Sequence, residues 1–171
     1  MNNSKKVAII SLMSAFSIIL ATVANFRLPF FSFFKPDFSD IPIFVLTFMF
    51  GGKYGIISLF IVSIIRMLTG DSVNLPVFLL RLSSSIIIFF ISIYKKYQKN
   101  FYLFAIISII CHIIIRIPFS YCLWVITYGI AEEIFVKQMW FNIILLTVIR
   151  SSLNIIISKL IFKNLPKNII L

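Results

Sequence analysis

Residues 101–124 read FYLFAIISIICHIIIRIPFSYCLW, 24 positions among which Arg116 is the one charged side chain. A bilayer core is crossed by about 20 apolar residues, so this stretch is long enough to span by itself. Five further apolar runs flank it: Val7–Ala24, Ile41–Phe50, Ile56–Leu68, Leu75–Tyr94 and Met139–Phe162. Six spans consume roughly 120 residues and leave roughly 50 for loops and tails. The whole chain is 61% hydrophobic and 12% charged, against about 25% charged in soluble domains. Its mean hydropathy is +1.09. No soluble catalytic or nucleotide-binding domain fits in the remaining space. The expectation is an all-α membrane protein, with residues 1–171 forming a single six-span helical domain.

Within the same stretch Cys111 and Cys122 stand about 16 Å apart along a helix, too far for a disulfide, and read as free packing residues. The second and third runs are short, and Gly51, Gly52 and Gly55 separate them. Short or interrupted membrane segments survive where protein or a cavity covers their backbone. Lys5 and Lys6 before the first run resemble the start of a secretory signal. That run is 18 residues long and further membrane segments follow, so it is read as a retained span.

Charge placement gives the orientation. With the N-terminus inside, the inner loops and tails hold Lys5, Lys6, Lys53, Lys95, Lys96, Lys99, Lys159, Lys163 and Lys167 and no acid. Asp37, Asp40, Asp71, Glu132 and Glu133 all fall in the outer connections, with Lys35 and Lys137. A bundle with both termini cytoplasmic therefore satisfies the positive-inside rule. The net charge of +11 belongs to that asymmetry, and a nucleic-acid partner is not expected.

The arginines are segregated from the lysines: Arg27, Arg66, Arg81, Arg116 and Arg150 lie in outer connections or within spans. A guanidinium in a membrane segment normally faces the bundle interior or a wet cavity, unless it snorkels to headgroups. Arg27 reads as snorkelling, Arg66 and Arg81 fit either description, and Arg150, near the middle of the last span, fits snorkelling worst. Catalytic chemistry is missing. His112 is the sole histidine and has no deep carboxylate to orient it. With Cys111 it falls short of the three protein ligands of catalytic zinc, so no metal and no cofactor are expected. Asp37-x-x-Asp40 reads as a helix entrance, with Ser39 or Asp40 as N-cap. GGKYG is not a phosphate loop, so any uphill transport would draw its energy from a partner or a gradient.

In the first run Ala8, Ser11 and Ala15 share one helical face, and Ser14, Ser17, Ala21 and Ala24 another. Small residues at such spacing permit close helix contact, so the two faces could serve one internal and one external neighbour.

The stretch LPFFSFFKPDFSDIPIFVLTFMFGGKYGIISLFIVSIIRMLTG, Leu28 to Gly70, resembles the substrate-binding S components of energy-coupling factor (ECF) vitamin transporters, particularly the riboflavin-binding group. The resemblance rests on the Pro- and Phe-rich loop, Asp37-Phe38-Ser39-Asp40-Ile41-Pro42, the turn from Gly51 to Gly55, and Ile65-Arg66-Met67-Leu68. Arg66 stands where the family has a lysine, and Met67 where it has an asparagine. Phe141 and Asn142 match a family motif in the last span whose lysine is here Leu145. His112 and Ile113 replace an Asn-Tyr pair ahead of Pro118.

The resemblance implies a non-enzymatic protein of the bacterial cell membrane. It would capture riboflavin or a related, possibly anionic, vitamin at its outer face. Delivery would run through a transmembrane coupling protein with two ATPase subunits, docked on Ala8, Ser11 and Ala15. The substrate-binding candidates are Asp40, Arg66, Arg81, His112, Arg116, Tyr121, Asn142 and Arg150. The arginines can take a carboxylate or phosphate bidentately, and the Asn142 amide can both donate to and accept from a ring imide. Phe30, Phe31, Phe33, Phe34, Tyr121, Trp124 and Tyr128 fit either an aromatic lid over a flat ring or an aromatic belt at the membrane interface. Two other readings stand beside this one: a scaffold of the rod-shape-determining type, and a secondary transporter working alone, which the lack of membrane acids disfavours.

Overall fold

The computed structural model describes residues 3–23, 37–69, 75–97 and 100–166. Among these there is no strand. The helices are α1 (Asn3–Val23), α2 (Asp40–Phe50), α3 (Gly52–Leu68), α4 (Leu75–Leu82), α5 (Ser85–Tyr97), α6 (Phe101–Tyr121), the single turn α7 (Glu132–Ile134) and α8 (Trp140–Asn164). π-helical turns at Cys122–Thr127 and Phe135–Met139 flank α7. Among the described residues four stretches are long and apolar enough to cross a membrane: Ser4–Val23, Phe78–Tyr97, Phe101–Thr127 and Trp140–Asn164.

The architecture is organised around α2. Its sequence, DIPIFVLTFMF, has no polar face, and every residue from Asp40 to Met49 is buried. A helix that is apolar all round belongs inside a bundle, and α1, α3, α5 and α8 surround this one. Ile43, Phe44 and Phe48 interlock with Leu59 and Val62 of α3, Ile87, Ile88 and Ile91 of α5, and Ile155 of α8. With 11 residues, α2 is about 16 Å long, half the thickness of a bilayer core. Its first turn consequently ends inside the bundle.

Outer surfaces are greasy and inner ones dotted with hydroxyls. Phe16, Ile106 and Leu160 are each more than half exposed, whereas Ser17, Ser58, Ser108 and Ser158 are buried. Several buried hydroxyls bond back to carbonyls of their own helices, as Thr47 does to Ile43, Ser63 to Leu59 and Ser108 to Ala105. This is the polarity of a protein whose solvent is lipid.

Two expectations change. Of the three glycines between the second and third runs, only Gly51 forms the break, at φ 99°, where a residue without Cβ is favoured. Gly52 and Gly55 belong to α3, and a Cβ on Gly55 would collide with the Thr47 hydroxyl. The fourth run is not one continuous helix. It breaks at Ser83 and Ser84, between α4 and α5. The Ser83 hydroxyl donates to Leu80 O at 2.6 Å, and the backbone tightens through Ser84 N to Arg81 O and Ile87 N to Ser84 O. Serine hydroxyls compete with the helical ladder in this way.

Candidate functional site

The first turn of α2 is ringed by charge. Asp37, just ahead of the helix, accepts from Arg66 Nη1 at 3.2 Å and from Arg81 Nη1 at 3.5 Å through Oδ2, with Arg150 Nη2 at 3.1 Å from the same oxygen. Asp40 Oδ2 accepts from Arg150 Nη2 at 2.9 Å and from the Ser84 hydroxyl at 3.3 Å. Arg81 Nη2 donates to the Ser39 hydroxyl at 2.9 Å and lies 3.8 Å from Asp40 Oδ1. The ends of α3 and α4 and the middle of α8 thus meet at the entrance of one buried helix.

Local structure explains the meeting. Asp37 Oδ1 accepts from Ser39 N–H, folding the chain back before the helix. Asn154, one turn after Arg150 on α8, donates to Asp37 O at 3.1 Å, and one turn further the Ser158 hydroxyl reaches Ile41 O at 3.2 Å. A single face of α8 therefore clamps the start of α2. The break at Ser83 and Ser84 frees Ser84 to bond Asp40. The expected side-chain N-cap is corrected. Ser39 holds the cap position, but its hydroxyl makes no capping bond because Arg81 has claimed it. Asp40 is the first helical residue, and its charge suits the positive end of the helix dipole.

Burial dominates the energetics. The side chains of Asp40 and Arg81 are 4% and 9% exposed, and buried ions are tolerated only when paired and hydrogen-bonded. Burial on its own would raise the Asp37 carboxyl; the charges of Arg150, Arg81 and Arg66, with the Ser39 hydrogen bond, outweigh it and hold the group well below the usual carboxylate range. Asp40 Oδ1 and Arg81 Nε, both buried, have no hydrogen-bond partner among the described residues.

Of the eight substrate-binding candidates, the structure gathers Asp40, Arg66, Arg81 and Arg150 into this cluster. His112 is buried alongside: Nε2 lies 3.0 Å from the Ser83 hydroxyl and Nδ1 3.1 Å from that of Ser151, next to Arg150. Arg116, one turn beyond His112 on α6, is half-buried and within electrostatic range of Arg150, Asp40 and Asp37. Tyr121 and Asn142 are not drawn in. The Tyr121 hydroxyl donates to Glu132, with its ring against Phe135. Asn142 is exposed on the first turn of α8, two turns or about 12 Å from Arg150. Trp124 and Tyr128 pack together at 5.5 Å. Arg27, Lys35, Asp71 and the phenylalanines of the expected lid, Phe30, Phe31, Phe33 and Phe34, lie outside the described residues.

Sequence reasoning missed Asp37, Ser84 and Asn154 as members of the cluster. The D-x-x-D spacing and the i, i+4 step from Arg150 to Asn154 were the available signals. Among the described residues no group of three or more His, Cys, Asp or Glu is placed to hold a metal ion.

Helix α1 shows its two small-residue faces in different settings. Ser14, Ser17 and Ala21 are buried; Ser14 bonds Ser58 of α3 at 2.8 Å, and Ser17 donates to Ser39 O. Ala8, Ser11 and Ala15 are exposed on the surface. Beside them runs an apolar groove of about 430 Å³ lined by Leu12, Ala15, Phe16, Pro42, Val45 and Ile161, among others.

Comparisons with known proteins follow this geometry. A family model described as "ECF transporter, substrate-specific component" matches residues 5–169. A solved structure, "Structure and mechanism of the S component of a bacterial ECF transporter", superposes with a TM-score of 0.74 at 24% identity, covering 95% of this chain and 95% of that one. No curated protein matches the chain.

Proposed function

Because the chain belongs to the family of ECF transporter substrate-specific components, we propose that it is a single-domain, six-span S component with both termini cytoplasmic, set in the bacterial cell membrane. It captures riboflavin or a related vitamin at the outer face. The vitamin then enters the cell through a transmembrane coupling protein driven by two ATPase subunits. The protein itself carries out no catalysis.

One observation carries the binding half of this reading: arginines from α3, α4 and α8 turn inward onto the start of α2 instead of reaching for headgroups. A vitamin-sized site needs a few placed polar groups in apolar surroundings, and the cluster supplies them at the buried start of α2. In this reading the substrate is held by Asp40, Arg66, Arg81, Arg116 and Arg150, with His112 bracing α6 against α8. Tyr121 and Asn142 contribute only if the ligand extends towards the connection between α6 and α8. The lysine bias described above supports the orientation. The exposed Ala8–Ser11–Ala15 face of α1 supports docking, since small side chains let a partner helix approach closely.

Copurification tests the assignment. The tagged wild type should bring down a membrane coupling protein and two ATPases. Ala15→Trp should abolish that capture while leaving vitamin binding intact. Capture of cell-wall elongation proteins in their place would favour the scaffold. Uptake persisting without the ATPases would favour a carrier working alone.

A further inference from the structure

Among the described residues the charges around α2 do not balance. Four guanidinium groups, those of Arg66, Arg81, Arg116 and Arg150, face two carboxylates, Asp37 and Asp40, and every ion pair in the cluster goes to Arg66, Arg81 or Arg150. Arg116 has neither an ion pair nor a hydrogen bond among the described residues, although it sits 16 positions into the stretch Phe101–Thr127. Along a helix that places it about 22 Å from the start and about 16 Å from the end. Like-charged Arg150 lies within electrostatic range. Asp37 and Asp40 also act on it at longer range, but a guanidinium held there without a direct ion pair is expensive. Its neighbour on α6, His112, carries no negative charge, and both its ring nitrogens are engaged with serine hydroxyls. A second unspent donor belongs to the cluster: Arg81 Nε, on a side chain 9% exposed, has no acceptor among the described residues.

We propose that Arg116 and Arg150, on the facing helices α6 and α8, receive an anionic group, a carboxylate or phosphate, of the captured molecule. The inference rests on the S-component reading and narrows it to a negatively charged ligand. Arg150 is already paired with both aspartates, so Arg116 supplies the guanidinium that has no ion pair among the described residues. The planar fork of a guanidinium matches either anion.

Inorganic phosphate is the probe, with thermal unfolding followed in phosphatidylcholine nanodiscs at constant ionic strength as chloride is replaced. Phosphate stabilises many proteins nonspecifically, so the reading is the saturable part of the shift. The wild type should show it. Arg116→Gln should raise the half-saturating concentration about 10-fold, the loss of one charge-assisted contact, and Arg116→Lys should restore most of it. Absence of a saturable shift in the wild type, or the same shift in Arg116→Gln, overturns the proposal. A lipid headgroup offers the same chemistry. If stabilisation comes from phosphatidylglycerol discs and soluble phosphate adds nothing, the soluble ligand is refuted. Copurification of the coupling subunits is read separately: its failure with the phosphate response intact refutes the family-level function and leaves the anion site.

Discussion

The two ends of α2 solve the same problem by different means. At its N-terminal end, polar groups are buried among charges: Asp37, Asp40 and three paired arginines, with two buried atoms still unpartnered. At its C-terminal end, Phe48 stacks on Phe162 at 5.5 Å and meets Tyr94 and Phe101. Lys159 covers the Phe101 ring at 3.3 Å, and Lys95 Nζ donates to Met49 O at 2.6 Å. That lysine answers the negative end of the helix dipole, and its neighbours form an ordinary aromatic cluster. One end is closed by aromatic rings and lysines; the other, among the described residues, holds surplus positive charge and unspent hydrogen-bonding capacity. Buried polar groups left unsatisfied call for an explanation, and a bound molecule that completes them supplies one, which supports placing binding at the N-terminal end and stability at the other.

Substitutions at the two ends should therefore separate binding from stability. The largest effect is expected from Arg150→Ala, which strips a partner from both aspartates. Removing one member of a buried pair costs about 3–5 kcal/mol, and vitamin affinity should fall by about 100-fold or more, as read by thermal unfolding and equilibrium binding. Phe48→Ala should lower stability by about 3 kcal/mol through the cavity it leaves, with affinity unchanged in whatever protein remains folded. Lys95→Met should cost about 1 kcal/mol, the value of one hydrogen bond and a dipole contact, again without touching binding.

Acid should act on the charged end alone. The Asp37 carboxyl is held below its unfolded value by the surrounding arginines despite its burial. Its contribution is therefore complete above about pH 4, the ordinary aspartate value, and is lost progressively as pH falls below that. Melting temperature followed from pH 6 to pH 3 should decline at the low end in the wild type. The decline should be shallower in Asp37→Asn, which should start lower at pH 6. Equal slopes would remove Asp37 from the cluster.

Much of this was legible in the sequence, for physical reasons that differ by residue. Long apolar runs identify themselves because lipid demands them, and the boundaries of α1, α6 and α8 follow closely from Val7–Ala24, Phe101–Trp124 and Met139–Phe162. Segregation of arginine from lysine marked Arg66, Arg81 and Arg150 before any contact was known. The two faces of α1 were visible as periodicity, and the structure buries one and exposes the other. The break at Ser83–Ser84 escaped notice because hydropathy averages over it, and because serine becomes a helix breaker only when Asp40 and His112 offer partners. Asp37 escaped for a similar reason: a carboxylate in a turn looks solvated until three guanidinium groups from distant helices close on it. Tyr121 and Asn142 were chosen by motif and ring chemistry, and helical geometry sets them apart from the arginines.

Native mass spectrometry of the purified protein, after incubation with a mixture of vitamins and their phosphates, tests the central claim most directly. The account predicts a one-to-one adduct of vitamin size on the wild type that is absent from Arg150→Ala. A wild type that stays bare, or an adduct that Arg150→Ala keeps undiminished, would contradict it.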